Sequence, residues 1–419
     1  MSDSIMPPAG QTGKADPATS PDPRAAFILA LGRALHSSGE PTQRIEDVLG
    51  TASEHLGLQA QFFVTPTSLF AAFGPEDNQR THLIRTEPTG AHLGMLADVD
   101  TIAKRVLRND LSPEDGLAAF EALRRTPDVS HPVFRLLGFV LASACAARFL
   151  DGGLAEMATA GMAGLLVGLI SLLAGRNAAL ARLYEPISAF TAAMVVAGGA
   201  YAFDGIAYAK SMLAALIVLV PGMMLTTAIE ELTARHLSSG TARLMGAVTV
   251  FMGMGFGVAL AAQLVKVLGG HPPIARAETL PGWTEWAALV VASISFGLLL
   301  RAKVRDLGWI ILAALLGYGT SQLGGRVLGP ELGMFAAAFA VGLGSNLFAR
   351  VFDRPEAITE VPGILILVPG SVGFRSITAL LDREVTSGIE TAFQMLLIAI
   401  SLVAGLLIAN LVLPKPRRV

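Results

Sequence analysis

Leu219-Val220-Pro221-Gly222 lies deep inside an apolar run and returns further along the chain as Leu367-Val368-Pro369-Gly370. When residues 219–240 are aligned with 367–388, the identity continues beyond the tetrapeptide at Ile229/Ile377, Leu232/Leu380, Arg235/Arg383, Ser239/Ser387 and Gly240/Gly388. A chance echo of four residues would not hold its register this far, so the stretch reads as a duplicated membrane unit.

Proline has no N–H, and its ring strikes the carbonyl one turn earlier. In a spanning helix Pro221 would free the C=O of Ile217 and Pro369 that of Leu365, and Gly222 and Gly370 would remove the remaining stiffness. Freed backbone groups need partners in hydrocarbon, which confines such breaks to places buried in protein or lined by water. Paired Pro/Gly interruptions at corresponding places in two halves point to the binding site of a transporter. The plainer alternative is a pair of packing kinks, because Pro and Gly are common in membrane helices.

Composition supports a membrane setting. Aliphatic, aromatic, Met and Cys residues make 53% of the chain, glycine adds 44 residues, and charged residues are only 15%. Long charge-poor runs with that balance describe a multispanning α-helical membrane protein rather than a large soluble core. The net charge of −2 lends no support to nucleic-acid binding. Cys145 is the only cysteine, which excludes an intrachain disulfide and a Cys-based metal site, and it reads as a small packed residue.

Residues 1–23, with Pro7, Pro8, Pro17, Pro21 and Pro23 among small polar residues, are expected to form a disordered tail without the apolar core of a signal peptide. Residues 24–130 read as a small α+β domain. Two helical stripes meet at Ser37-Ser38-Gly39-Glu40-Pro41-Thr42, three short strands fall within 58–86, and helices follow near 93–108 and 113–124. Glu46 and Asp47 diverge on their helix, and His36, His55, His82 and His92 lack any ligand spacing. Arg44, Glu46 and Asp47 are therefore expected to be a solvated face and the histidines ordinary surface residues. No catalytic motif, metal set or cofactor-binding loop appears, so the chain reads as a non-enzyme that needs no cofactor.

Apolar runs near the ~20 residues that span a bilayer fall at 133–150, 153–174, 186–203, 206–227, 243–267, 285–300, 307–325, 331–349, 357–372 and 389–413. The expectation is about ten transmembrane helices as two five-helix units, 132–267 and 285–413, joined by a loop at 268–284 and followed by a basic tail at 414–419. An odd number of crossings per unit inverts the second copy, which is a basis for alternating access. Lys and Arg gather in the short loops on the side of the α+β domain, as at Arg124, Arg125, Arg176, Arg182, Arg301 and Arg305, so both termini are placed in the cytoplasm.

Polar residues near the breaks are the candidates for function. A half-helix starting at Gly222 or Gly370 would aim free N–H groups at the midplane, where a carboxylate could bind with help from Thr226, Thr227, Ser371 or Arg375. Pro221 and Pro369 shape that place. Glu230, Glu231 or Glu360 could carry a coupled proton, and Lys210 is a near-equivalent of Glu360 in the other half. Alternatively Lys210 and Glu360 snorkel to an interface, and Glu230 and Glu231 cap a loop. Asn346 is either a helix-bridging amide or a site group.

With these residues in view, the chain resembles the threonine/serine exporter family in its fused two-half form. Ser38-Gly39-Glu40-Pro41-Thr42-Gln43-Arg44-Ile45-Glu46-Asp47, Phe63-Val64-Thr65-Pro66-Thr67 and Leu111-Ser112-Pro113-Glu114 look like that family's amino-terminal signature, and the two LVPG segments look like its paired halves. The resemblance covers about residues 25–413. It implies a cytoplasmic domain, ten crossings and proton-driven export of threonine and serine, and split relatives look linked to succinate export. The expected partners are therefore a small-molecule substrate (threonine, serine or another small carboxylate), protons and the lipid of a bacterial-type inner membrane. Nucleic acid is not among them, and assembly as a homo-oligomer is left open. The rival from another class is a hydrolase or sensor domain on a membrane anchor, for which ten crossings are far more than enough.

Overall fold

The computed structural model describes residues 22–87, 90–125, 131–368, 370–381 and 384–415. The expected tail at 1–23 and the end of the basic tail therefore lie almost wholly outside the described residues, as does Pro369.

The amino-terminal domain runs α1 (Pro23–Ser37), α2 (Thr42–His55), β1 (Ala60–Thr65), β2 (Ser68–Phe73), β3 (Arg80–Arg85), α3 (Leu93–Leu107) and α4 (Pro113–Arg125). Its antiparallel sheet has the order β1-β2-β3. Period-two alternation turns Val64, Leu69, Ala71 and Ile84 inward and leaves Phe63, Phe70 and Leu83 exposed. The inward face covers Phe27, Ile28, Leu31, Ile45, Leu49, Val99 and Val106 from the helices. Between α1 and α2, Gly39 has a φ of +79°, and a Cβ there would stand 2.8 Å from the backbone of Ala91. Only glycine lets the chain turn this sharply against a second strand of backbone.

The membrane part begins with α5 (Pro132–Phe149), α6 (Leu154–Ala174), the single turn α7 (Ala178–Ala181), α8 (Tyr184–Ala202), α9 (Tyr208–Leu216), α10 (Gly222–Thr233) and α11 (Leu237–Val267). It continues with α12 (Trp283–Leu299), α13 (Leu307–Leu328), α14 (Pro330–Phe352), α15 (Ala357–Leu365), α16 (Gly370–Leu381) and α17 (Val385–Val412). Among the described residues, six helices are long and apolar enough to cross a bilayer: α5, α6, α11, α13 with the turn before it, α14 and α17. α12 is a shorter apolar helix. The runs at 206–227 and 357–372 are not single helices: each is a pair of short ones, α9 with α10 and α15 with α16.

Glycine sets the helix approaches, since without a Cβ the neighbouring backbone can come within van der Waals range. A Cβ on Gly257 of α11 would overlap the Pro186 carbonyl and lie 2.9 Å from the Phe190 N of α8, and one on Gly405 of α17 would meet the Phe335 carbonyl and lie 2.9 Å from the Phe339 N of α14. The same kind of crossing thus holds α8 on α11 and α14 on α17. Met252, Phe256 and Leu260 of α11 and Ile389, Phe393 and Leu397 of α17 remain exposed, forming apolar faces suited to lipid.

The first break departs from expectation in one bond. The Ile217 carbonyl is not left free: Val220 N donates to it at 3.3 Å, just as Leu219 N donates to Leu216 O at 2.9 Å. A tightened final turn takes up the group that Pro221 cannot serve. In the second half Leu367 N and Val368 N both donate to Ile364 O, at 2.8 and 3.0 Å.

Candidate functional site

The two breaks meet. A Cβ on Gly222 would overlap Val368 Cγ1 and stand 3.6 Å from Gly370 Cα, and one on Gly370 would overlap Val220 Cγ1 and stand 3.9 Å from Gly222 Cα. α10 and α16 start at this crossing, so their first N–H groups and the positive ends of their dipoles lie beside it.

From the crossing a cavity of about 850 Å³ extends to the amino-terminal domain. The domain contributes Ser38, Gly39, Glu40, Arg44 and Asp47 to its wall, the first half Val220, Pro221, Thr227, Glu230 and Arg243, and the second half Glu356, Glu360, Asn410 and Lys415. Such a mix of apolar wall and convergent charge is characteristic of small-molecule sites.

The charges are tied to one another. Arg44 reaches Glu356 at 2.7 Å and Glu40 at 3.3 Å, and Lys415 reaches Glu360 at 3.2 Å and Glu356 at 3.7 Å. Burial works against the charge on Arg44, but Glu356, Glu40, Glu360 and Asp100 outweigh it and hold the guanidinium above its ordinary value. Lys415 is likewise pushed up against its own burial, by Glu360 and Glu356. The fully buried Glu231 accepts bonds from Thr42 N at 3.1 Å, Thr42 Oγ1 at 2.9 Å and Arg243 Nε at 3.1 Å. Thr42 opens α2, which has no side-chain cap of its own, so a carboxylate from α10 caps it.

The residues singled out from sequence fall into distinct groups. Pro221, Thr227, Glu230 and Glu360 line the cavity. Gly222 and Gly370 form the crossing, while Thr226 Oγ1 bonds back to Gly222 O at 3.2 Å. Asn346 bridges helices, donating to Asn410 Oδ1 and Leu413 O, both at 2.8 Å. Lys210 is remote, donating to Asp151 O at the α5–α6 turn, and Arg375 is exposed on α16. Pro369 and the Ser371 side chain lie outside what is described.

One expectation is overturned. Arg44 and Glu46 are no solvated face: Arg44 is half-buried and paired with the buried Glu356, while Glu46 accepts from Val64 N at 2.7 Å and faces His236 at 3.8 Å. Nor are all the histidines on the surface. His36 is buried, with Nε2 3.1 Å from Thr65 O, and His92 Nδ1 caps α3 by accepting from Met95 N. Sequence reasoning also passed over Glu40, Arg243, Glu356, Asn410 and Lys415. The available signal was the dense charge from Glu40 to Asp47 around the start of a helix whose first turn holds no acidic residue.

A largely helical chain with several helices long and apolar enough to cross a bilayer, whose charged cavity runs from an α+β domain to two crossed backbone breaks, has the architecture of a multispanning membrane protein. Residues 26–265 match the family model described as "Putative threonine/serine exporter", and residues 285–412 that described as "Threonine/Serine exporter, ThrE". The chain belongs to the threonine/serine exporter family. It is also similar to Pheromone-regulated membrane protein 10 of Kluyveromyces lactis, 25% identical over 387 residues that cover 88% of this chain and 40% of the relative. The protein of the same name in Debaryomyces hansenii is 27% identical over 388 residues, covering 89% and 37%, and that of Saccharomyces cerevisiae is 24% identical over 380 residues, covering 88% and 48%. The chain thus spans less than half the length of these relatives. No solved structure matches.

Proposed function

We propose that the chain is a secondary exporter of threonine, serine or a similar small amino acid, driven by protons entering through the same pathway. The observation that carries this reading is the crossing of the two LVPG turns at the inner end of the charged cavity. Discontinuous helices meeting at one place, with N-termini available to an anionic group, are the hallmark of secondary-transporter sites. The substrate carboxylate would sit at the starts of α10 and α16, with Thr227 beside it.

The charge balance favours an amino acid over a dicarboxylate. Glu40, Asp47, Glu230, Glu356 and Glu360 line the cavity against Arg44, Arg243 and Lys415, and each of those cations is already paired. A dianion entering that field is repelled, whereas an ammonium group is welcomed. Glu230 is the carboxylate suited to carry the proton, because Glu231 is committed to Thr42 and Arg243, and Glu360 to Lys415. We read the halves as inverted copies with ten crossings, in a bacterial-type inner membrane, with both termini on the cytoplasmic side. Two facts support the inversion: α11 starts against the amino-terminal domain, where Ser239 Oγ donates to Val64 O, and α17 ends at the same side, near Lys415. The conformational cycle is a rocking of the halves about the crossing. The rival of a membrane-anchored enzyme draws no support from the domain, whose conspicuous polar side chains serve to dock it.

Counterflow of labelled threonine in proteoliposomes, with and without a pH gradient, tests the proposal. Movement of threonine but not succinate, accelerated by the gradient, is expected. Movement of neither compound removes the substrate assignment. Glu230→Gln should keep exchange at equal pH and lose the response to the gradient; an unchanged response would assign the proton elsewhere.

A further inference from the structure

We infer that the amino-terminal domain is the inner gate of the pathway, a strap that bridges both membrane halves and has to lift for the halves to rock. This rests on the transport reading above and assigns a part to a domain which that reading leaves idle.

Two latches leave the domain almost side by side. Thr42 is bonded through its N–H and hydroxyl to Glu231 of α10, in the first half, while Arg44 is paired with Glu356 at the start of α15, in the second. Only Gln43 lies between them, so one rigid helical turn ties the two halves together across the cavity mouth. Further bonds widen the strap. On the first half, Ser239 Oγ donates to Val64 O at 3.1 Å. On the second, Leu93 N and Gly94 N donate to Leu300 O and Arg301 O, at 3.0 and 3.1 Å, in the turn after α12. Lys104 and Arg108 reach Asp353, and Lys303 reaches Asp98.

Hydrogen bonds are lost once donor and acceptor separate beyond about 3.5 Å. A rocking motion of a few ångströms between α10 and α15 therefore cannot leave both latches made. From the same stretch of the domain, Ser38, Gly39, Glu40, Gln43, Arg44 and Asp47 wall the cavity, opposite the lining that Pro221 and Val220 supply from the crossing. Motion of the halves and access from that side are consequently linked through one rigid body.

The test uses the full chain with Cys145→Ala, so that introduced cysteines are the only thiols. Asp98→Cys with Lys303→Cys cross-links the domain to the second half outside the cavity, and Met224→Cys, on the cavity wall, reports access to a charged maleimide. A short cleavable thiol-to-thiol cross-linker is applied first and cleaved afterwards by reductant, and Met224→Cys alone, treated in the same way, measures how far the reagent caps the reporter thiol itself. Gating predicts that cross-linking slows labelling of Met224→Cys by about tenfold and stops threonine counterflow, and that cleavage restores both. Without a cross-link, Glu356→Gln weakens the tie of Arg44 to the second half and should speed labelling severalfold. Labelling and counterflow that proceed unchanged in the cross-linked protein, with Glu356→Gln also without effect, overturn the gate. Gated labelling without counterflow in the cleaved protein sustains the gate and removes the transport reading; counterflow that ignores the cross-link does the reverse.

Discussion

Arg44 shows how much one side chain can bind together. Its guanidinium is shared by Glu40, in the turn before its own helix, and Glu356 of the membrane part, both of them buried. Removing it leaves two carboxylates without their main partner, and breaking a buried pair in this way costs about 3–5 kcal/mol, whereas exchanging the whole pair for apolar groups is often neutral. Arg44→Met should therefore lower the thermal stability of the purified protein sharply. Arg44→Met with Glu356→Leu should recover most of the loss; a double variant no better than the single one would mean the pair is not the source. His36 gives a pH signature. Burial holds its imidazole below the usual histidine value, against the pull of the Thr65 carbonyl and with the charge of Arg243 adding to the depression. The unfolded ring titrates near about 6.5, so the unfolded chain binds more protons between the folded and unfolded values. Stability is then fully present above about 6.5 and drains away as pH falls through the folded value. Unfolding midpoints between neutral and mildly acid pH should decline in the natural chain and decline less in His36→Gln; equal slopes would clear His36 of the effect.

At the scale of elements, the crossing of the breaks depends on what is missing. Neither Gly222 nor Gly370 has a Cβ, and each is pressed by the valine of the opposite turn. Gly222→Ala drives a methyl group into Val368 and should separate α10 from α16 by a fraction of an ångström to an ångström, a misplacement that can cost on the order of a hundredfold in rate at a reacting or binding centre. Val368→Ala removes the obstructing methyls and should restore much of the counterflow lost in Gly222→Ala. If the double variant is as slow as the single one, the turns are not in contact during transport. The same reasoning separates a functional break from a kink: Pro221→Ala lets α9 run into α10, and should depress transport far more than expression.

The whole molecule is held by contacts that join the amino-terminal domain to both membrane halves and set which side of the membrane the cavity faces. With that domain cytoplasmic, the segment between α11 and α12 lies on the opposite face. There Ala275 N donates to Ile206 O and ties the segment to the start of α9. A cysteine at Arg276, in the background without Cys145, should react with an impermeant thiol reagent on intact cells, whereas one at Lys415 should react only after permeabilisation. The opposite pattern would place the amino-terminal domain and its side of the cavity on the outer face.

Much of this was legible in the chain itself. The LVPG echo, the apolar runs and the alternation of the short strands are local patterns, because helix and strand periods repeat every few residues and a proline disturbs only the turn before it. They placed a break at Pro221, starts of half-helices at Gly222 and Gly370, and the sheet within residues 58–86. The contact between the breaks, the capping of Thr42 by Glu231 across 189 residues of sequence and the pairing of Arg44 with Glu356 were decided only by tertiary structure. A charged side chain on a helix looks the same in sequence whether water or a distant carboxylate receives it. Its energy depends on which surface the folded chain brings opposite, and no local spacing encodes that.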